Sequence, residues 1–270
     1  MRIDYTKFNP TGNTTILVST PVPRAQHGAV AAALLQKLGG EQVGYIEPPV
    51  RPEAAARLQM MGGEFCGNAT MSLGAQLCRL NPPQGPCFQA NLEVSGMDGL
   101  VPCRVNPSPA GGWEGTVRMP PPTRVDAVAL PTDAGPLSVP LVALPGITHL
   151  ILPAEAGLDD AQLLRRLPEW NGTIGADALG ALTWDEAAQA IDPLVYVPAS
   201  GTLVREHGCG SGSAAVGCWL ALRDGHGREV GIRQPGGTIS VDVRIRDGAF
   251  TSVTITGQVV LVEEGQVEIP

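Results

Sequence analysis

The fold is decided by two stretches that begin alike, CGNATMSLG at Cys66–Gly74 and CGSGSAAVG at Cys209–Gly217. The second cysteine lies 143 positions after the first, which is about half of the 270-residue chain. A stretch that recurs at a long, regular spacing is typical of internal duplication. We therefore expect two similar halves, each of which contributes one thiol at the start of a helix.

Each of these cysteines precedes small residues and then apolar residues at helical spacing, which predicts a buried helix. Unpaired backbone N–H groups and the positive end of the helix dipole gather in the first turn of such a helix. That setting suits a substrate carboxylate and lowers the pKa of a nearby thiol. Either stretch alone would more often be structural, but the matched pair favours an acid and a base. The other four cysteines are interpreted as core or incidental thiols: Cys78, Cys87, Cys103 and Cys218.

Composition argues against several kinds of partner and cofactor. The net charge is −8 and Lys and Arg form no cluster, so we expect a small-molecule substrate rather than nucleic acid or a membrane surface. Without an apolar leader or a long apolar run, we expect a cytoplasmic protein with reduced thiols. The sequence contains no metal-ligand spacing and no dinucleotide motif, so we expect neither a metal nor a nucleotide cofactor. Neither Lys7 nor Lys37 suits a pyridoxal Schiff base, so we expect a cofactor-independent mechanism.

The apolar pattern predicts strands folded around one central helix in each half, and therefore the α+β class. The first half is expected to span residues 1–118 and to end before Met119–Pro122. The second half is expected to span residues 119–270, and its last strand is free to return to the first half. Besides the two helices after the cysteines, helices are predicted over 26–38, 159–167 and 185–191. His27 and His226 are expected to face solvent.

Three motifs resemble those of the cofactor-independent diaminopimelate epimerase-like amino-acid racemases: Gly62–Ala69, Gly208–Gly212 and Gln234–Gly237. Counterparts at residues 11–13, 41–49 and 146–149 extend the resemblance over nearly the whole chain. The resemblance implies two pseudo-symmetric domains, each a curved sheet or barrel around a central helix, with the substrate between them. It implies that Cys66 and Cys209 act on opposite faces of the substrate Cα. Assembly as a homodimer stays open.

One difference from diaminopimelate epimerase narrows the choice of substrate. In diaminopimelate epimerase, a Glu-Arg pair ahead of the second cysteine binds the far end of the substrate. This chain has Ser200-Gly201 at that place. The chain more closely resembles the histidine racemases of opine-metallophore pathways, in which Gly-Gly-Glu-Phe-Cys-Gly-Asn and a Glu before Cys-Gly-Ser-Gly recur. We therefore expect an isomerase that inverts an amino-acid Cα, with histidine favoured. Diaminopimelate epimerase, a proline-racemase-like isomerase and a non-catalytic amino-acid-binding protein remain alternatives.

Further side chains are predicted to bind the substrate. The N–H groups at the two helix starts are expected to hold the α-carboxylate, with help from nearby side chains. Acidic residues and histidines close to the cysteines would contact an imidazole or bias a thiolate. The predicted binding set is Asn13, Gln42, Glu64, Gly67, Asn68, His149, Glu206, Gly210 and Ser211, and no metal ligand is predicted.

Overall fold

The computed structural model describes all 270 residues and has sixteen β-strands and four α-helices, which confirms the predicted α+β class. The helices are α1 (His27–Leu38), α2 (Gly67–Leu80), α3 (Asp160–Ile174) and α4 (Gly210–Asp224). The strands are β1 (Arg2–Pro10), β2 (Thr15–Val18), β3 (Gln42–Glu47), β4 (Ala56–Met60), β5 (Phe88–Val94), β6 (Leu100–Pro107), β7 (Trp113–Arg118), β8 (Arg124–Thr132), β9 (Gly135–Leu144), β10 (Ile147–Pro153), β11 (Leu179–Asp185), β12 (Ala190–Val197), β13 (Thr202–Arg205), β14 (Arg228–Gln234), β15 (Gly237–Arg246) and β16 (Ala249–Glu268). None of the four helices is both long and apolar enough to cross a membrane.

The chain divides into two compact units, Met1–Arg118 together with Thr256–Pro270, and Met119–Ile255. Strand β16 begins in the second unit and ends in the first. The element order of the first unit recurs in the second. In each, two antiparallel strands precede a crossover helix, two further antiparallel strands and then the helix that follows a cysteine; the second unit has β8 and β13 in addition.

In the first unit, the sheet closes on itself around α2. Strands β1 to β7 are neighbours in chain order, and β16 hydrogen-bonds to both β7 and β1. Helix α2 packs against β1, β2, β5, β6 and β7, and its residues 67–76 are all buried. This close approach requires Gly74, because a Cβ built there would overlap Sγ of Cys103 on β6. The sheet therefore fixes the helix that begins after Cys66.

In the second unit, α4 holds the equivalent place. The strand order is β8, β9, β10, β11, β12, β14, β15 and β16, with β13 paired to β12. Helix α4 packs against β9, β10, β14 and β15. A Cβ at Gly217 would lie 2.7 Å from Cγ1 of Val241 on β15. Gly74 and Gly217 each stand eight positions after their cysteine, so both helices use the same glycine to approach their sheet.

The predicted helix over residues 185–191 is wrong. Asp185 ends β11 and Ala190 begins the antiparallel partner strand β12. In the turn between them, Asp185 Oδ1 accepts a hydrogen bond from the N–H of Ala188 at 2.9 Å. An aspartate that binds the backbone of the following residues favours a turn over a helix. The helix predicted over 159–167 continues to Ile174, beyond the sequence expectation.

The expectation that His27 faces solvent is also wrong. His27 begins α1 and only 3% of its surface is exposed. Its ring stacks on Tyr45 with the centroids 3.6 Å apart, and Nε2 lies 3.0 Å from the carbonyl oxygen of Val22. Burial raises the pKa of Tyr45 to about 12, and its hydroxyl donates to the carbonyl of His27. His27 is therefore part of the core under α1, whereas His226 is exposed.

Candidate active site

Both predicted catalytic cysteines are N-cap residues of buried helices. Cys66 Sγ accepts a hydrogen bond from the N–H of Ala69 at 3.4 Å, and Cys209 Sγ accepts one from the N–H of Gly212 at 3.2 Å. A sulfur in the cap position lies at the positive end of the helix dipole. This setting favours a thiolate, because the cap hydrogen bond and the dipole both stabilise negative charge.

The first turn is built alike in the two helices. Thr70 Oγ1 donates to the carbonyl oxygen of Cys66 at 2.7 Å, and Ser213 Oγ donates to that of Cys209 at 2.8 Å. The residue directly after each cysteine is a glycine, and an N–H at the start of a helix has no intrahelical partner. Without side chains, these glycines let an anionic group approach the N–H closely.

In the first unit, polar side chains of two neighbouring strands converge on Cys66. The half-buried Cys66 thiol donates a hydrogen bond to Gln42 Oε1 at 3.1 Å. Gln42 Nε2 in turn donates to Asn13 Oδ1 and, at 2.8 Å, to Thr15 Oγ1. The parallel register of β2 and β3, which sets Thr15 beside Gln42, brings these groups together. An amide oxygen that accepts from the thiol favours the protonated form of Cys66.

The loop before Cys66 holds a carboxyl group that forms no ion pair. Glu64 as a whole is exposed, but its side chain folds back, so that Oε2 lies 2.6 Å from where Gly62 would carry a Cβ. Desolvation by the loop raises the pKa of this carboxyl group, and backbone hydrogen bonds offset part of the shift. Ser95 Oγ donates to the Glu64 carbonyl at 2.7 Å and anchors the loop to the strand region after β5. Asn68 is buried in the first turn of α2.

In the second unit, Cys209 is 2% exposed and has several polar neighbours. Burial raises the pKa of the Cys209 thiol well above its usual value, and the charge of Glu206 and a hydrogen bond to it raise this pKa further. Ser211, whose Oγ lies 3.5 Å from Sγ, and the N–H of Gly212 lower the pKa. Glu206 therefore favours the thiol form, whereas the helix end favours the thiolate.

His149 on β10 reaches the same helix end. Its Nε2 lies 2.9 Å from Ser211 Oγ, and its Nδ1 has no hydrogen-bond partner. Its ring is fully buried, and desolvation lowers its pKa to about 3. The register of β10 and β11 sets Gly180 beside His149, and a Cβ on Gly180 would overlap Nδ1. His149 is therefore a neutral imidazole held against the backbone of β11.

Sequence analysis assigned no role to Gln234, although Gln234–Gly237 is one of the three motifs that carry the family resemblance. Its Oε1 accepts from the Cys209 N–H at 2.6 Å, and its Nε2 donates to Ser213 Oγ at 2.7 Å. The following turn is tied back by a hydrogen bond from the Gly236 N–H to the His207 carbonyl at 2.7 Å. The sequence signal that could have identified Gln234 is its position at the end of a strand, directly before Pro-Gly-Gly. Gln234 therefore positions the backbone of Cys209.

The predicted side chains thus form two groups. Asn13 and Gln42 join Cys66 in one hydrogen-bonded network, while Glu206 and Ser211 contact Cys209 and His149 contacts Ser211. None of the six cysteines forms a disulfide, and no group of three or more His, Cys, Asp or Glu side chains could hold a metal ion. The chemistry that these groups support is proton transfer by thiols beside anion-binding helix ends.

The chain is similar to known racemases and epimerases over nearly its full length. A histidine racemase from Staphylococcus aureus is 29% identical, over 99% of this chain and 98% of the relative. A diaminopimelate epimerase from Xanthomonas campestris is 26% identical, over 98% of this chain and 96% of the relative. The structure of a probable proline racemase from Agrobacterium radiobacter with bound carbonate superposes with a TM-score of 0.72 at 18% identity. It covers 99% of this chain and 93% of that one, and at this identity it shows the fold alone.

The family assignment rests on a match that spans almost every residue. Residues 2–267 match the family model described as histidine racemase CntK N-terminal domain. This match agrees with the resemblance that the two Cys-Gly motifs carried, and the named relatives are isomerases that invert an amino-acid centre. The chain therefore belongs to the CntK histidine racemase family and is an amino-acid racemase.

Proposed function

We propose that the chain racemises histidine by proton transfer between the substrate Cα and the thiols of Cys66 and Cys209. The observation that carries the proposal is the matched pair of sulfur-capped helices. One cysteine removes Hα as a thiolate while the other donates a proton to the opposite face, and the reverse reaction exchanges these roles. The Gly67 and Gly210 N–H groups hold the α-carboxylate, and the two helix dipoles offset the developing carbanion charge.

The side chains beside the two sulfurs support this division of labour. Gln42 accepts from the Cys66 thiol without adding a charge, so Cys66 can rest as a proton donor. Glu206 accepts from the Cys209 thiol with a carboxylate, which raises the pKa of that thiol and makes its thiolate a stronger base once the proton is lost. Asn68 and Ser211 are the second residues of the two helices, next to the carboxylate-binding N–H groups, and Asn13 orients the α-amino group.

Histidine is favoured as the substrate on three grounds. The family model and the S. aureus relative both carry the name of histidine racemase. Ser200 and Gly201 are exposed in the turn between β12 and β13, and Ser200 Oγ forms a hydrogen bond to Thr202 Oγ1 at 2.8 Å. These two residues offer no positive charge that could bind a distant substrate carboxylate. Glu64, two residues before Cys66 in the chain, has a carboxyl group that forms no ion pair and can accept a hydrogen bond from an imidazole N–H.

Diaminopimelate is the second candidate substrate, because one relative of similar length is named diaminopimelate epimerase. The same experiment separates it from histidine. The purified protein is incubated in deuterated water with L-histidine, LL-diaminopimelate, L-proline and other chiral amino acids, and the products are resolved by chiral chromatography with mass detection. We expect D-histidine that carries one deuterium at Cα, while unreacted L-histidine remains protonated early in the reaction. Rapid diaminopimelate epimerisation with negligible histidine turnover would refute the substrate assignment.

Substitution of the thiols tests the mechanism. Cys66→Ser and Cys209→Ser should each lower kcat by at least about a hundredfold, because the far higher pKa of a hydroxyl makes it a poor proton donor and leaves it un-ionised, and so unable to act as the base, near neutral pH. Cys218→Ala on α4 is the matched control, since this buried thiol, whose pKa is raised to about 12, has no role in the mechanism. A Cys66 or Cys209 variant that racemises near the wild-type rate would rule out the two-base mechanism. Binding of histidine without turnover by the wild-type protein would favour the non-catalytic alternative.

A further inference from the structure

One serine ties together the two ends of the loop that leads into Cys66. We call residues 60–64 the entry loop. Ser95 lies in the turn between β5 and β6, and only 6% of its surface is exposed. Its hydroxyl oxygen accepts a hydrogen bond from the N–H of Met60 at 2.9 Å, and the hydroxyl donates to the carbonyl oxygen of Glu64 at 2.7 Å. A single hydroxyl group thus serves as acceptor and donor for the two ends of the entry loop.

The backbone of the same turn also lies on the segment before Cys66. The N–H of Ser95 donates to the carbonyl oxygen of Leu58 on β4 at 2.9 Å. Gly96 has a φ of +73°, and a Cβ built on it would lie 2.3 Å from the backbone nitrogen of Phe65. Such a close approach between two backbones requires a glycine. The turn after β5 is therefore packed directly against the backbone that enters α2.

The second unit makes the equivalent contact with different atoms. The hairpin of β14 and β15 follows α4, just as the hairpin of β5 and β6 follows α2. In its turn, the N–H of Gly236 donates to the carbonyl oxygen of His207 at 2.7 Å. His207 stands two positions before Cys209, and Glu64 stands two positions before Cys66. In each unit, the hairpin after the helix therefore anchors the carbonyl group two residues before the cysteine.

We propose that Ser95 is a positioning residue for Cys66: its hydroxyl fixes the entry loop, and the loop fixes the sulfur at the start of α2. An anchor that recurs at the same distance from both cysteines indicates that the place of the sulfur is what is held. Ser95 acts through the backbone and is not itself a catalytic residue. The inference rests on the proposed use of Cys66 in proton transfer, in which a displacement of about 1 Å can slow the reaction up to about a hundredfold.

The first part of the test needs no substrate. Amide hydrogen exchange is followed by NMR in 15N-labelled protein. The Met60 N–H reports the bond to Ser95 directly, and the Ala69 N–H reports the sulfur, because it donates to Cys66 Sγ at 3.4 Å. In Ser95→Ala, both N–H groups should exchange about tenfold faster, the factor that corresponds to the loss of a hydrogen bond of ordinary net strength.

An internal reference and two variants separate positioning from a general loss of stability. The Gly212 N–H donates to Cys209 Sγ at 3.2 Å in the second unit, and its exchange should not change. Ser108→Ala is the matched control, because this half-buried serine accepts a backbone N–H at 3.3 Å in another hairpin turn of the first unit. It should leave the exchange of Ala69 unchanged. Ser95→Thr keeps a hydroxyl and should return that exchange to within about threefold of the wild type.

Turnover measures the consequence for the reaction. In the racemisation assay, Ser95→Ala should lower kcat about tenfold with a smaller effect on KM. The displaced sulfur reacts poorly, whereas the Gly67 N–H still binds the substrate carboxylate. Ser95→Thr should recover at least half of the wild-type kcat, and Ser108→Ala should keep all of it. A variant that is only less stable would melt earlier but would keep its kcat per folded molecule.

Three outcomes would overturn the proposal: an unchanged exchange rate of Ala69 in Ser95→Ala, a wild-type kcat in that variant, or a Ser95→Thr variant that melts like the wild type and yet behaves like Ser95→Ala. Because Ser95→Ala removes a single oxygen, the test stays decisive even if Ser95→Thr does not fold. Failure of the proposed function looks different, since a protein that does not racemise histidine can still show the faster exchange of Ala69.

Discussion

Acidification from pH 7 to pH 5 should lower the free energy of unfolding of the second unit by about 2 kcal/mol through His149 alone. The buried ring has a pKa of about 3, whereas a histidine in the unfolded chain has a pKa of about 6.5. Below pH 6.5 the unfolded state therefore binds a proton that the folded state does not. The contribution to stability is complete above pH 6.5 and is lost as the pH falls towards 3. At pH 5, which is about 1.5 units below the unfolded pKa, the loss at about 1.4 kcal/mol per unit is about 2 kcal/mol.

Urea unfolding at pH 7, 6 and 5, followed by tryptophan fluorescence, measures this effect. Three of the four tryptophans lie in the second unit, so the signal mainly reports the unit that holds His149. His149→Gln should be less stable at pH 7, but it should lose the part of the pH dependence that the imidazole supplies. His226→Gln, which replaces an exposed ring, is the matched control and should keep the wild-type slope. The same pH slope in His149→Gln and in the wild type would refute the reasoning.

Three further changes test other parts of the site. Gly180→Ala should lower both kcat and thermal stability, by about 1–3 kcal/mol of unfolding free energy, because the new methyl group overlaps the His149 ring; unchanged melting would contradict the packing that we describe. Gln42→Leu should lower kcat about tenfold with a smaller effect on KM, since Cys66 loses its hydrogen-bond acceptor. A tenfold loss of substrate affinity in a binding assay would argue for a binding role of Gln42 instead. Racemisation should survive dialysis against a chelator and against a carbonyl-trapping reagent, and loss of activity in either would reveal a metal or a carbonyl cofactor.

Local sequence was sufficient to predict the features that depend on a few neighbouring residues. The two helices begin at Gly67 and Gly210, directly after the cysteines, because small residues followed by apolar spacing specify a buried helix. The predicted strands and the α+β class followed from the same periodicities. The helix predicted over 185–191 failed because a carboxylate beside the turn competes for backbone N–H groups, which apolar spacing does not detect.

The polar networks could not be read from local sequence. Gln42 meets Thr15 only through the parallel register of β2 and β3, and His149 meets Gly180 only through that of β10 and β11. Register depends on the whole sheet, so a sequence pattern can nominate such residues but cannot pair them. The burial of His27 was missed for the same reason, because its stacking partner Tyr45 belongs to a different element.

The two sulfurs combine a shared backbone setting with unlike side chains, and this limits what the asymmetry can do. Both sulfurs cap a helix, but a neutral amide faces Cys66 and a carboxylate faces Cys209. On the proposed mechanism, the enzyme therefore rests in one protonation state more than in the other. The two enantiomers have equal free energy in solution, so kcat/KM must be equal in the two directions whatever the enzyme does. The asymmetry can change kcat and KM only together, so both are higher for one enantiomer than for the other by the same factor. Gln42→Glu, which places a carboxylate beside both sulfurs, should bring the two kcat values closer together, and progress curves from pure L- and pure D-histidine would measure this.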